Sequence, residues 1–294
     1  MSAPFRISSN GIFLYHHRLS AYKWLRHGFS LRKNQDGVEA SYSLNEFQPR
    51  ETVLENRQRM VRSVAGRELP LAILRQVHSD RVFIASRAGL SDPPQGDGWV
   101  TGEPELLVAI QTADCLPILL VDPERRIIAA VHAGWRGTLQ RIAAKAISLM
   151  HADFGSHPGN CVAVVGPAIR RCCYEVGEEV FEAFTKELEG SASFFFKPPS
   201  GKATRANSQC LDLVVACRSQ LLDVGLAAEK ILTDGPCTAC EKERFFSHRA
   251  DVLRGGRMMS VIGVVTSASQ NQLLPEGDGQ QSTLGHSVAN FGSV

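Results

Sequence analysis

Between Leu106 and Val131 the chain carries three short, nearly continuous apolar runs: Leu106 to Gln111, Pro117 to Val121 and Ile127 to Val131. Runs of this length, bounded by polar or proline residues and without alternation, read as strands buried on both faces. Leu71 to Val77, Arg81 to Ala85, Cys161 to Val165, Lys230 to Thr233 and Met258 to Val265 read as further strands. Helical spacing marks other segments. From Thr138 to Met150 the residues Leu139, Ile142, Ala146, Leu149 and Met150 fall on one face, and Glu51 to Gly66, Gly177 to Glu189 and Leu211 to Val224 also predict helices, the last ended by Gly225. Strands and helices alternate without a clean βαβ repeat, so the pattern predicts an α+β fold or a layered mixed sheet, with no internal repeat. Ser191 to Ser208, with Pro198, Pro199 and Gly201, is expected to be a surface loop. Ser267 to Val294, rich in Gly, Ser and Gln, is expected to be a disordered tail, which leaves residues 1–266 as one catalytic domain.

Composition narrows the class. A chain of 294 residues that is 44% hydrophobic can bury a large core. Its 32 basic and 30 acidic residues leave a formal charge of +2, which gives no general attraction to nucleic acid or to an anionic membrane. No apolar stretch has the length of a signal peptide or a membrane span, so a soluble, cytoplasmic protein is expected. Eight cysteines in that setting fit metal or catalytic use better than a disulfide framework. A monomer is expected, with a homo-oligomer left open.

The candidate chemistry sits at the ends of the predicted strands. His78 lies in a turn between two of them, Cys115 lies between two more, and His132 ends the run from Ile127. Two imidazoles and a thiolate are enough protein ligands for a catalytic zinc, because three ligands leave the fourth tetrahedral position open. Spacing does not assemble such a site; the fold must. The same residues could be three unrelated polar groups, or a cysteine hydrolase with Cys115 as nucleophile and His132 or His78 as base. Asp80 and Asp114, each beside a candidate ligand, could fix an imidazole tautomer. Cys237 and Cys240 have a redox or half-zinc spacing, but the adjacent Cys172 and Cys173 look ill-spaced to complete a site, so no second metal is assigned. His16 and His17 are expected at the surface.

Read in order, QVH, GDGWVT, QTADCLPILL, AAVHAGWRG, VGPAI with CYEV, and FFSHRAD resemble the YfiH family, also described as laccase-domain or polyphenol-oxidase-like and as multifunctional purine nucleoside phosphorylases. The match runs from about His27 to Val265. The resemblance implies a single domain of four α/β/β/α layers with mixed central sheets, and His78, Cys115 and His132 as zinc ligands at the catalytic site, copper being the alternative metal. It implies phosphorolysis of adenosine, inosine or methylthioadenosine to base and ribose 1-phosphate, plus deamination of adenosine. Purine nucleoside and inorganic phosphate would be the partners.

Other residues take candidate roles in that light. Arg136, in the HAGWRG turn that leads into a helix, and Arg249, in FFSHRAD, could hold phosphate or ribose, with His248 lining the pocket. A tight turn with Trp135 in the core is the plainer reading of HAGWRG. Asp97 and Thr101 could contact the nucleoside, Tyr174 could stack on it and Glu175 could hydrogen-bond to it. The chain departs from the family pattern at Cys217, where asparagine is usual, and at Ala250, where a second basic residue is common. A cysteine hydrolase that edits peptidoglycan precursors and a copper-dependent polyphenol oxidase stay open, although the chain has no His-x-His pair for a multicopper centre. An interaction protein with a structural metal is a further reading.

Overall fold

The structure is a computed structural model that describes residues 3–45, 47–90, 92–198, 208–251 and 255–266. The expected tail, and residues 199–207 of the expected loop, lie outside them.

The apolar runs do form the central strands. Leu116–Asp122 and Ile127–Ala133 pair antiparallel as a hairpin, and all the residues of both are buried. They lie in a six-stranded mixed sheet with Val162–Val165 and Ile231–Leu232 on one side, and with Gly98–Thr101 and Val82–Ile84 on the other. A second six-stranded sheet centres on Met258–Val264, flanked by Leu25–Ser30 and Leu106–Thr112. Strand residues alternate between faces, so each sheet contributes to two cores. Leu119, Val121, Ile128 and Ala130 meet Leu106, Val108, Ile110 and Ile262 between the sheets. On the outer face of the first sheet, Ile118, Leu120, Ala129 and Val131 pack on helices Ile142–Phe154 and Leu213–Asp223. Beyond the second, Ala109, Met259 and Val261 pack on Met60 and Val64 of helix Arg50–Ala65. The result is a single mixed α+β domain layered α/β/β/α.

Several expectations need correction. Only Leu71–Ala72 of the segment predicted from Leu71 to Val77 is strand; beyond it Arg75 keeps a single bridge to Gln95. The predicted helix from Thr138 to Met150 is two helices, Trp135–Leu139 and Ile142–Phe154, divided where Arg141 adopts φ 61°. His16 is not at the surface: it lies buried in strand Phe13–His16, where its backbone N–H donates to Nε2 of His27 at 3.0 Å. The N-terminal strands Phe5–Ile7, Phe13–His16 and Leu25–Ser30 were not marked by the apolar pattern.

What matters for the site is the register. Leu116 faces Ala133, and Gly98 faces Val131. Cys115, His132 and Asp97 therefore stand at one end of three neighbouring strands. Gly166, just past Val165, donates to Pro117 O at 2.9 Å and delivers its loop to the same end.

Leu119 lies between the two sheets and is fully buried. Leu119→Ala is expected to lower stability by about 2–5 kcal/mol, read as an earlier midpoint in urea unfolding.

Candidate active site and metal centre

His78, Cys115 and His132 are brought together. Their donor atoms all lie within 4.8 Å of one another, with Cys115 Sγ 3.8 Å from His78 Nε2. His132 is buried and His78 exposed, so the group opens outward from the sheet end. The two rings meet nearly edge to face, centroids 4.8 Å apart. Gly134 completes the cradle: a Cβ there would stand 3.0 Å from His78 Cδ2 and 3.1 Å from Cys115 Sγ.

Asp97 organises this group. Its side chain is fully buried, and Oδ1 accepts from His132 Nδ1 at 2.8 Å and from the His78 backbone N–H at 3.1 Å. Oδ2 accepts from the Ser79 N–H at 2.6 Å and the Ser79 hydroxyl at 2.7 Å. Burial opposes its ionisation, yet His132 and the Ser79 donors hold the carboxyl down at about 2. The carboxylate thus anchors the turn in which His78 takes the left-handed φ of 58°. It also holds a proton on His132 Nδ1, so the other ring nitrogen, Nε2, is the one turned towards Cys115. Burial works against the Cys115 thiolate, but the charges and hydrogen bonds of His132 and then His78 outweigh it and bring the thiol down to about 6. His132 moves the other way, to about 9, because Cys115 and Asp97 overcome the effect of burial. Soft sulfur, two imidazoles, a fixed tautomer and a glycine cradle together fit a tetrahedral metal site with one position open.

Beside this group is a cleft of ≈ 420 Å³ lined by Trp135, Tyr174, Glu175, Val176 and Arg249 among others. Trp135, expected in the core, is only partly buried and forms part of its wall. Arg249 Nη1 donates to Glu175 O at 2.7 Å, and its guanidinium lies 5.5 Å from the Tyr174 ring centroid. Exposed Arg136 stacks at 4.1 Å on Trp135. Asp114, at φ 89°, ties this wall to the donor group: it accepts from Thr238 Oγ1 at 2.6 Å and from Arg249 N at 2.7 Å.

These contacts correct several assignments. Asp97 does not face a ligand, because it is enclosed and committed to His132 and the turn at 77–79. Thr101 is buried and donates to Ala85 O at 2.8 Å. Asp80 pairs with Lys145 and Asp114 with Thr238 and Arg249, so neither orients an imidazole. His248 is exposed and is not among the residues lining the cleft. Missed at the sequence level were Ser79, Thr238 and Asp97 as the acid that holds His132; the apolar strand that begins right after Asp97 was the available signal for its burial. Cys172 and Cys173 do meet Cys237 and Cys240, against the expectation from spacing.

The profile of the family described as multi-copper polyphenol oxidoreductase laccase matches residues 26–265. The chain belongs to this family. A purine nucleoside phosphorylase of Bacteroides thetaiotaomicron is 31% identical over 83% of the chain and 93% of its own length. The purine nucleoside phosphorylase YlmD of Bacillus subtilis is 38% identical, over 57% of the chain and 58% of its own length. An adenosine deaminase, RL5, from an unknown prokaryotic organism is 36% identical over 65% of the chain and 74% of its own length. The crystal structure of the hypothetical protein YfiH of Bacillus licheniformis superposes with a TM-score of 0.79 at 27% identity, covering 90% of this chain and all of that one. These relatives carry enzyme names, and the chain groups with them. Among the described residues, the groups of three or more potential ligands that converge are this one and the four cysteines. Among them, too, no helix is long and apolar enough to cross a membrane.

Asp97→Asn keeps the shape of the side chain but removes the charge that holds His132. Metal affinity at the donor group is expected to fall 10–100-fold in a chelator competition, with the fold retained by circular dichroism.

Proposed function

We propose that the chain is a zinc-dependent purine nucleoside phosphorylase with adenosine deaminase activity, and that it uses His78, Cys115 and His132 as metal ligands. The observation that supports this most is the convergence of those three donors, oriented by Asp97, beside a cleft walled by aromatic rings and an arginine. The names of the relatives give the reaction class. Bound zinc would supply a Lewis acid next to the cleft.

The protein's own groups do the rest. Tyr174 and Trp135 offer faces on which a purine can stack, and Glu175 offers a carboxylate for hydrogen bonding along its edge. Arg249, fixed through Tyr174 and the Glu175 carbonyl, and Arg136 on Trp135 supply positive charge for inorganic phosphate. A phosphate oxygen attacks the anomeric carbon, the bond from that carbon to the purine nitrogen breaks, and the base leaves with the bonding pair and takes up a proton. Placing the anion in line with the leaving base supplies most of the acceleration, through orientation and electrostatics. In deamination the amino group of adenine leaves as ammonia and water replaces it, giving inosine from adenosine.

A second reading has its own observation. Asp97, His132 and Cys115 form the orienter, base and nucleophile of a cysteine hydrolase, and the lowered Cys115 thiol suits that role. Zinc binding and nucleophilic use compete for the same sulfur.

Incubation of the purified protein with adenosine, with and without phosphate, separates the readings. Phosphate-dependent adenine and ribose 1-phosphate are expected, together with phosphate-independent inosine, and a chelator should abolish both. Cys115→Ala should lose the metal of this group and the activity together. Full activity in that variant, or amide hydrolysis that persists in chelator, would overturn the zinc reading. Arg249→Ala should raise the KM for phosphate by 10-fold or more and leave the metal content unchanged.

A further inference from the structure

Four cysteines that the proposed reaction does not use come together around Cys172 and Cys173, which directly precede Tyr174 of the cleft wall. Cys172 Sγ stands 3.7 Å from Cys237 Sγ and 3.6 Å from Cys240 Sγ, and Cys173 Sγ is 3.4 Å from Cys240 Sγ. All four sulfurs lie within 4.8 Å of one another. In a tetrahedral zinc tetrathiolate, with Zn–S near 2.3 Å, the sulfurs are about 3.8 Å apart. The Cys172–Cys237, Cys172–Cys240 and Cys173–Cys240 separations, 3.4 to 3.7 Å, fall just short of that value. Four neutral thiols gain little from such crowding, since S–H is a weak donor and sulfur a weak acceptor. A cation at the centre turns the same arrangement into four bonds.

The backbone around the cluster suits an anionic thiolate cage. Ala168 N donates to Pro236 O at 3.2 Å, Thr238 N donates to Ala168 O at 3.1 Å, and the two segments form a parallel bridge at Ala168 and Cys237. Gly235 makes this approach possible, because a Cβ there would stand 2.6 Å from Gly166 O. Arg170 Nη1 and Nη2 reach across to Thr233 O at 3.0 Å and Gly235 O at 2.6 Å, which places a positive charge near the sulfurs.

We propose that Cys172, Cys173, Cys237 and Cys240 form a second, structural zinc site that clasps the segment leading into Tyr174 to the segment at 235–240. Tyr174 and Glu175 follow directly on Cys173. Thr238, inside the Cys237–Cys240 loop, holds Asp114, which in turn holds the Arg249 backbone and precedes Cys115. The site is closed by four protein ligands, so its metal takes no part in chemistry. This inference does not depend on the nucleoside reading.

The test separates the two sites by working in the Cys115→Ala protein, whose first group has lost its thiolate. Elemental analysis is expected to find about one zinc per chain in this variant, and none after Cys172→Ser and Cys240→Ser are added. Cobalt(II) added to metal-stripped Cys115→Ala protein should give the intense visible absorption of a tetrahedral tetrathiolate. If the triple variant does not fold, the cobalt spectrum of Cys115→Ala alone still decides. The proposal is overturned by folded Cys115→Ala protein that binds neither metal, by zinc retained in a folded triple variant, or by mass analysis showing these cysteines joined as disulfides in protein purified without oxidant.

Discussion

A buried carboxylate with no water to solvate it must find its partners within the protein, and Asp97 finds them in the two elements that carry the imidazoles. That single requirement fixes the turn at 77–79, the unusual backbone of His78 and the tautomer of His132. The cost of leaving such a group unpaired is several kcal/mol, so the geometry of the site is held by the stability of the core beneath it. The three donors need no mutual attraction to converge. They are set by strand register and by an acid that nothing outside the protein touches.

The central strands and the four longer helices were legible because burial on both faces, or along one stripe, leaves a continuous or periodic apolar record. Strand Ile127–Ala133 and helix Arg50–Ala65 are of this kind. The edge strands Val82–Ile84 and Ile231–Leu232 were marked but their ends were not, since two or three residues carry no period, and the break at Arg141 leaves the apolar stripe nearly intact on either side. The N-terminal strands escaped because polar side chains such as His16, Arg26 and His27 are buried there among apolar ones.

The candidate site was legible as a set of residues but less so as a set of roles. His78, Cys115 and His132 converge as the motif order suggested. Asp97 was placed on the wrong side of its own turn, because Gly-Asp-Gly reads as a surface loop unless the strand Gly98–Thr101 that follows is recognised as buried. The four cysteines failed a spacing rule that assumes each pair comes from one knuckle. Here a parallel bridge between distant segments delivers an adjacent pair onto a spaced one, and sequence distance says nothing about that bridge.

Asp114 has one neighbour in each world: the cysteine donor next to it in sequence, and the backbone of Arg249 in the cleft wall, which it grips at 2.7 Å. A ligand that shifts Arg249 and a metal that draws on Cys115 both act on the same strained residue. Any coupling carried this way is a single free energy shared by two binding events, so the factor by which metal alters the affinity for an anion must equal the factor by which the anion alters the affinity for metal.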